Sequence, residues 1–149
     1  MNFKIILLGS AFLVQIILFG CENCDTADPM VTSYITLKVV DSAGKNLVNS
    51  FNGPNYPDSV RASVKDKSAI QFEILERPGL TETQFICMPS FNETGQTELY
   101  LHLNHQDTDT LLINYKPVEQ DCGGAYYVYT GFSFNGKRIS NEGVLELVK

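Results

Sequence analysis

From residue 31 onward, apolar and polar side chains alternate with a period of two. That period puts successive side chains on opposite faces of a strand. Ile70, Phe72 and Ile74 stand against Gln71 and Glu73, and Leu99, Leu101 and Leu103 repeat the pattern. Ser33, Ile35, Leu37 and Val39 share one face of a Thr- and Val-rich run from Val31 to Val40. Shorter runs at Val60–Val64, Phe85–Met88, Leu111–Tyr115, Ala125–Ser133 and Val144–Val148 complete the set. Between them lie turn signals: Asp41–Asn46, Tyr56-Pro57-Asp58, Arg77-Pro78-Gly79, Pro89, Asp107–Asp109 and Pro117. Asn135-Gly136, between Phe134 and Lys137, is the strongest hairpin signal, because it supplies positive φ at both central positions of a type I′ turn. The count is about eight or nine short strands with turns about every 8–12 residues. No segment after residue 21 reads as a helix. The predicted class is all-β, a two-sheet antiparallel sandwich of the immunoglobulin or transthyretin-like kind, with a closed barrel as the alternative.

The first 21 residues carry a different message. Lys4 gives a basic start, Ile5 to Phe19 is an almost unbroken apolar run, and Gly20 precedes Cys21. This is the layout of a secretory signal. The run is short of the roughly 20 apolar residues that span a bilayer, and polar sequence follows at once. The box resembles a bacterial lipobox, Phe19 being bulkier than usual. The resemblance implies cleavage after Gly20, a diacylglycerol on the Cys21 thiol and acylation of the new amine. Two or more acyl chains anchor stably where one is marginal. The expected organisation is therefore a cleaved lipoprotein signal peptide at 1–20, a lipidated tether at 21–30 and one domain at 31–149.

The formal net charge is −6, and loss of Lys4 makes the remainder more acidic. Such a chain is a poor partner for nucleic acid or for anionic lipid by charge alone. The expected membrane contact is the lipid anchor.

Cys24, Cys87 and Cys122 remain after Cys21. Export implies an oxidising compartment, where a disulfide is expected. Three thiols leave three pairings open. Cys87 sits in an apolar strand run, whereas Cys24 and Cys122 lie in polar loop sequence beside an aspartate. Context therefore favours Cys24–Cys122, a bridge worth about 4–5 kcal/mol in the chain-entropy model.

Catalytic signals are sparse. His102 falls on the outward side of its strand and His105 begins a turn, with Asp107 and Asp109 beyond. On a strand-to-turn segment a spacing of three does not bring both imidazoles to one face for zinc. Asp107-Thr-Asp109-Thr opens like a calcium loop but has Leu112 and Val118 where Gly and Glu belong. No Gly-x-Ser-x-Gly is present, and neither histidine has a nucleophile in sequence context. No catalytic residue, metal or cofactor is expected. The aromatic set is more suggestive. Tyr127 and Tyr129 alternate with Tyr126 and Val128, so one face is core and the other offers tyrosines to a ligand.

Two resemblances remain. Asp41-Ser42-Ala43, Asp58-Ser59-Val60, Asp109-Thr110-Leu111 and Asp25-Thr26-Ala27 resemble the acceptor motif of Bacteroidetes-type periplasmic O-glycosylation, which implies Thr26, Ser42, Ser59 and Thr110 as candidate sites. Asp41, Gly44 and Leu47 resemble the first hairpin of carboxypeptidase-regulatory and transthyretin-like sandwiches. The wider arrangement is Cys21…Cys24, Asp107-x-Asp-Thr-Leu-x-Ile-x-Tyr115, Asp121-Cys122-Gly123 and a Phe-x-Phe-Asn-Gly hairpin. It is similar to small Bacteroidetes-type lipoproteins of unassigned function. That similarity implies an envelope-facing β-domain, brings no catalytic residue, and also favours Cys24 with Cys122. The expected function is a non-catalytic binding module for a glycan or protein partner, lipid-anchored in the outer membrane on either face. An accessory subunit of an envelope assembly is the alternative, and a hydrolase a weaker one.

Overall fold

The computed structural model describes residues 30–48, 55–65, 70–120 and 124–149. Nine strands form among them: β1 (Ile35–Val40), β2 (Arg61–Val64), β3 (Gln71–Ile74), β4 (Phe85–Met88), β5 (Gln96–Asn104), β6 (Asp107–Glu119), β7 (Ala125–Phe134), β8 (Lys137–Ile139) and β9 (Leu145–Val148). A 3-10 turn at Pro57–Ser59 is the one helical element of the described residues. One sheet has the order β3-β4-β1-β9 and the other β2-β5-β6-β7-β8. The architecture is the expected two-sheet sandwich. All pairs are antiparallel except β1 with β9, which run parallel.

Alternation builds the core. Leu99, Leu101 and Leu103 of β5, Leu111 and Ile113 of β6, and Leu37 and Val39 of β1 are all buried in one cluster with Phe85, Phe132 and Leu147. Truncating any of the central leucines to Ala costs about 2–5 kcal/mol. Cys87 is fully buried in β4 and carries a free thiol, as its apolar run suggested. Burial pushes that thiol up to about 12, so it stays protonated.

Three boundaries differ from the sequence reading. Asp107–Asp109 is not a turn but the start of β6; the turn is His105-Gln106. Pro117 does not close that strand, which runs to Glu119. The reason is register. β5 meets β6 only as far as Gln96 opposite Asn114, so beyond that point β6 has β7 alone for a partner. There, a proline's missing N–H faces no ladder. The run expected from Val31 begins only at Ile35, because residues 30–34 bond to side chains instead of joining a ladder.

β7 holds the feature that most shapes the surface. Its register with β6 shifts between Asn114 opposite Gly131 and Tyr115 opposite Tyr129, leaving Thr130 as an extra residue. A bulge of this kind switches which face each residue takes. Phe132 and Phe134 thus point inward on one side of it, and Tyr127 and Tyr129 on the other. At the hairpin, Asn135 (φ 48°) and Gly136 (φ 78°) both have positive φ, the type I′ turn the sequence predicts.

Candidate functional site

Residues 30–34 cross one end of the sandwich beside the start of β7. They are held by polar contacts far apart in sequence. The Met30 N–H donates to Gln120 Oε1 (3.1 Å), and Gln120 Nε2 donates to the Met30 carbonyl (2.9 Å). The Tyr127 N–H donates to Thr32 Oγ1 (2.8 Å), and the Tyr129 hydroxyl donates to the Ser33 carbonyl (3.0 Å). Burial, with a smaller contribution from Cys87, raises the Tyr129 hydroxyl above its ordinary range, so it remains a donor.

Under this segment lies an aromatic cluster. Phe91 stacks on Tyr127 with ring centroids 4.2 Å apart and meets Tyr115 edge-on at 4.9 Å. Tyr129 packs on Phe132 at 5.6 Å. Such pairs contribute about 0.5–1.5 kcal/mol each beyond the area they bury. The β4–β5 loop is fastened to the same spot. Asn92 N–H donates to the Tyr115 hydroxyl (2.8 Å), which donates to Asn92 Oδ1 (3.0 Å). The Tyr115 N–H donates to the Gly95 carbonyl (2.9 Å). Gly95 has φ +71°, and a Cβ there would stand 3.1 Å from the Tyr115 carbonyl oxygen. This approach is open only to glycine.

Between residues 30–34 and β7 a groove of about 360 Å³ opens, lined by Met30, Val31, Tyr34, Tyr126, Val128 and Tyr129 over buried Ile35, Phe132 and Leu145. Among the described residues no Asp, Glu, Lys, Arg or His lines it. Of the tyrosines singled out in the sequence, Tyr127 and Tyr129 turn into the cluster, while Tyr126 is half-buried on the groove wall. The exposed apolar groups are instead Val31 (75 % exposed), Met30 (59 %), Tyr34 (50 %) and Val128 (37 %). The sequence reading passed over Met30, Val31 and Tyr34. Their signal was three large apolar side chains where a polar tether meets the first strand.

The other candidates are scattered. His102 lies on the outer face of the five-stranded sheet, its Nδ1 3.0 Å from Thr108 Oγ1 and its Nε2 3.3 Å from Ser63 Oγ. This serine partner, on β2, was invisible in sequence context. The third member is a hydroxyl, so no carboxylate stabilises an imidazolium as in a hydrolytic triad. His105 is exposed in the β5–β6 turn. Asp107 and Asp109 hold the Lys149 ammonium, with Nζ 2.9 Å from Asp109 Oδ2 and closer still to Asp107. Asn135 Nδ2 donates to Asp109 Oδ1 (2.8 Å). The two carboxylates that opened like a calcium loop are therefore strand residues paired with an ammonium. Among the described residues no group of His, Cys, Asp and Glu side chains could hold a metal ion.

Ser42 is exposed in the turn after β1. Ser59 donates to the Tyr56 and Leu103 carbonyls (2.7 and 3.0 Å). Thr110 is half-buried within β6. Cys21, Cys24, Thr26 and Cys122, with the whole signal segment, lie outside the described residues.

At the opposite edge of the two sheets, strands β2 and β3 leave a cleft of about 680 Å³ lined by Val60, Phe72, Ile74 and Phe85, with Asp58, Arg61, Glu73 and Glu76 also lining it. No family model matches this chain, and neither a curated protein nor a solved structure does.

Proposed function

We propose that this protein is a bacterial cell-envelope lipoprotein, akin to the small Bacteroidetes-type lipoproteins it resembles. In this reading it is anchored through Cys21, and its β-sandwich is a non-catalytic binding domain. The observation that carries the reading is the groove. Four exposed apolar side chains converge on an uncharged concavity, at the end from which the chain leads back to Cys21. Singly exposed apolar residues are ordinary on a monomer; a converging set marks a contact surface. The volume falls within the range of binding sites, and the lining suits an uncharged partner that offers apolar groups. A glycan would rely on Ser33, Thr36, Asn141 and tyrosine hydroxyls for its hydrogen bonds. A Cys24–Cys122 disulfide, in the same reading, would fasten residues 30–34 over β7.

The test is metabolic labelling with an alkyne fatty acid. The native chain is expected to carry label and sediment with membranes, and Cys21→Ser to lose both. Label retained in Cys21→Ser would overturn the anchor.

A second reading, an accessory subunit of an envelope assembly, is supported by the β2/β3 cleft. Two strands that are sheet edges among the described residues line it, an arrangement that accepts an added strand. Cross-linking from Ile74 to a co-purifying envelope protein would favour it.

A further inference from the structure

We infer that the groove is the seat of the domain on the lipid bilayer: Met30, Val31, Tyr34 and Val128 enter the interfacial layer, and lipid fills the space between residues 30–34 and β7. The inference rests on the anchored reading above and names the occupant of its site.

Geometry is the first argument. Only residues 22–29 separate Cys21 from Met30. Fully extended, that stretch reaches about 30 Å. An anchored chain therefore holds the groove end next to the headgroups. Strand register puts the far end on the other side. β1 leaves the groove at Ile35 and ends at Val40, whose carbonyl accepts from the Lys149 N–H, so the Lys149–Asp107–Asp109 cluster lies at the far end. The tether makes seating an intramolecular event, so a small apolar patch suffices.

Chemistry is the second. The chain is acidic, with 17 Asp and Glu against 11 Lys and Arg, yet among the described residues the groove lining has no charge of either sign. A surface that enters the headgroup–acyl boundary presents apolar groups there. Tyr34 and Tyr126 bring amphipathic rings, the side chain that favours this layer. Because no cation lines the groove, seating is expected to be indifferent to salt and to anionic lipid, unlike attraction by a basic patch.

The test uses the full mature chain with its acyl groups, in phosphatidylcholine vesicles containing lipid brominated near the headgroup. The chain has no tryptophan, so one introduced indole reports its own surroundings. Val31→Trp is expected to be quenched about threefold or more, equally at low and high salt. Tyr56→Trp, 67 % exposed away from the groove, is expected to stay unquenched. Adding Val128→Asp to Val31→Trp is expected to lower the quenching about twofold or more. Equal emission from the two reporters in an acylated chain overturns the seat and leaves the anchor standing. An intact mass equal to the bare chain overturns the anchor, and the seat with it. A photo-crosslinker at Tyr34 that captures protein instead of lipid also overturns the seat.

Discussion

The two ends of this sandwich are built on opposite principles. At the end where residues 30–34 cross β7, the contacts are aromatic or run from backbone to neutral side chain, and the hydrogen bonds of residues 30–34 join residues 90 or more apart in sequence. At the far end the contacts are ionic and many are local. Asp41 Oδ1 accepts from the Ala43 and Lys45 N–H groups (both 2.9 Å), and Asn135-Gly136 makes the β7–β8 turn. Asp109 is buried against Lys149 there. The described groove lining carries no charged side chain, whereas the far end buries one, and that contrast gives the domain a direction.

The comparison breaks most readily at the aromatic end. Phe91 touches Tyr115, Tyr127 and Tyr129 at once. Phe91→Ala is expected to cost about 3 kcal/mol, read as a fall in the urea midpoint. It should also loosen residues 30–34, seen as faster amide exchange at Tyr127. A loss under about 1 kcal/mol would mean that the rings merely touch.

Next is the far end. Asp109→Leu removes a buried carboxylate but leaves Asp107 for Lys149, so a loss of about 2 kcal/mol is expected, below the roughly 3–5 kcal/mol for orphaning a buried charge. Urea unfolding measures it. Quenching of the groove reporter should not change, because the two ends share no charged group. A variant that altered both would show that the ends are coupled.

Alkaline pH sharpens the contrast further. Burial would lower the Lys149 pKa, but hydrogen bonds to Asp107 and Asp109 outweigh it and raise the value above the ordinary 10.5. Lys38 is raised by its bonds to Glu82 and Glu146. A raised lysine stabilises the fold fully below the unfolded value and loses that contribution as pH climbs through the folded one. Stability is therefore expected to hold to about pH 10 and to fall above 10.5. Lys149→Met should flatten that fall, measured as the urea midpoint against pH.

What was legible in the sequence follows the same divide. Apolar and period-two runs located every strand except β8, which only the Asn135-Gly136 hairpin signal implied, because both signals lie within a few residues of the structure they specify. The groove did not announce itself. It needs the β7 bulge at Thr130, which turns Tyr127 and Tyr129 inward on one side and Phe132 on the other; the one local mark of that insertion is Gly131 beside it, a glycine inside a strand run. Reading β7 as unbroken alternation left the exposed face to the tyrosines. Gln120 clasping Met30 and Ser63 meeting His102 are likewise contacts of tertiary distance. Pro117 misled for the converse reason. A proline stops a strand only where a neighbour needs its N–H, and β5 has already ended there.

The smallest expected effect on stability decides most about the groove. Tyr34 is half exposed, so Tyr34→Ser should change unfolding free energy by no more than about 0.5 kcal/mol. In the Val31→Trp background the same change should weaken quenching by brominated lipid, because it removes an interfacial ring. A residue that the fold does not need and the vesicle does is a contact residue. If Tyr34→Ser instead costs more than about 1.5 kcal/mol, the ring is packing and not rim. Residues 30–34 would then be one more layer of the aromatic cluster, and the groove would owe its composition to folding alone.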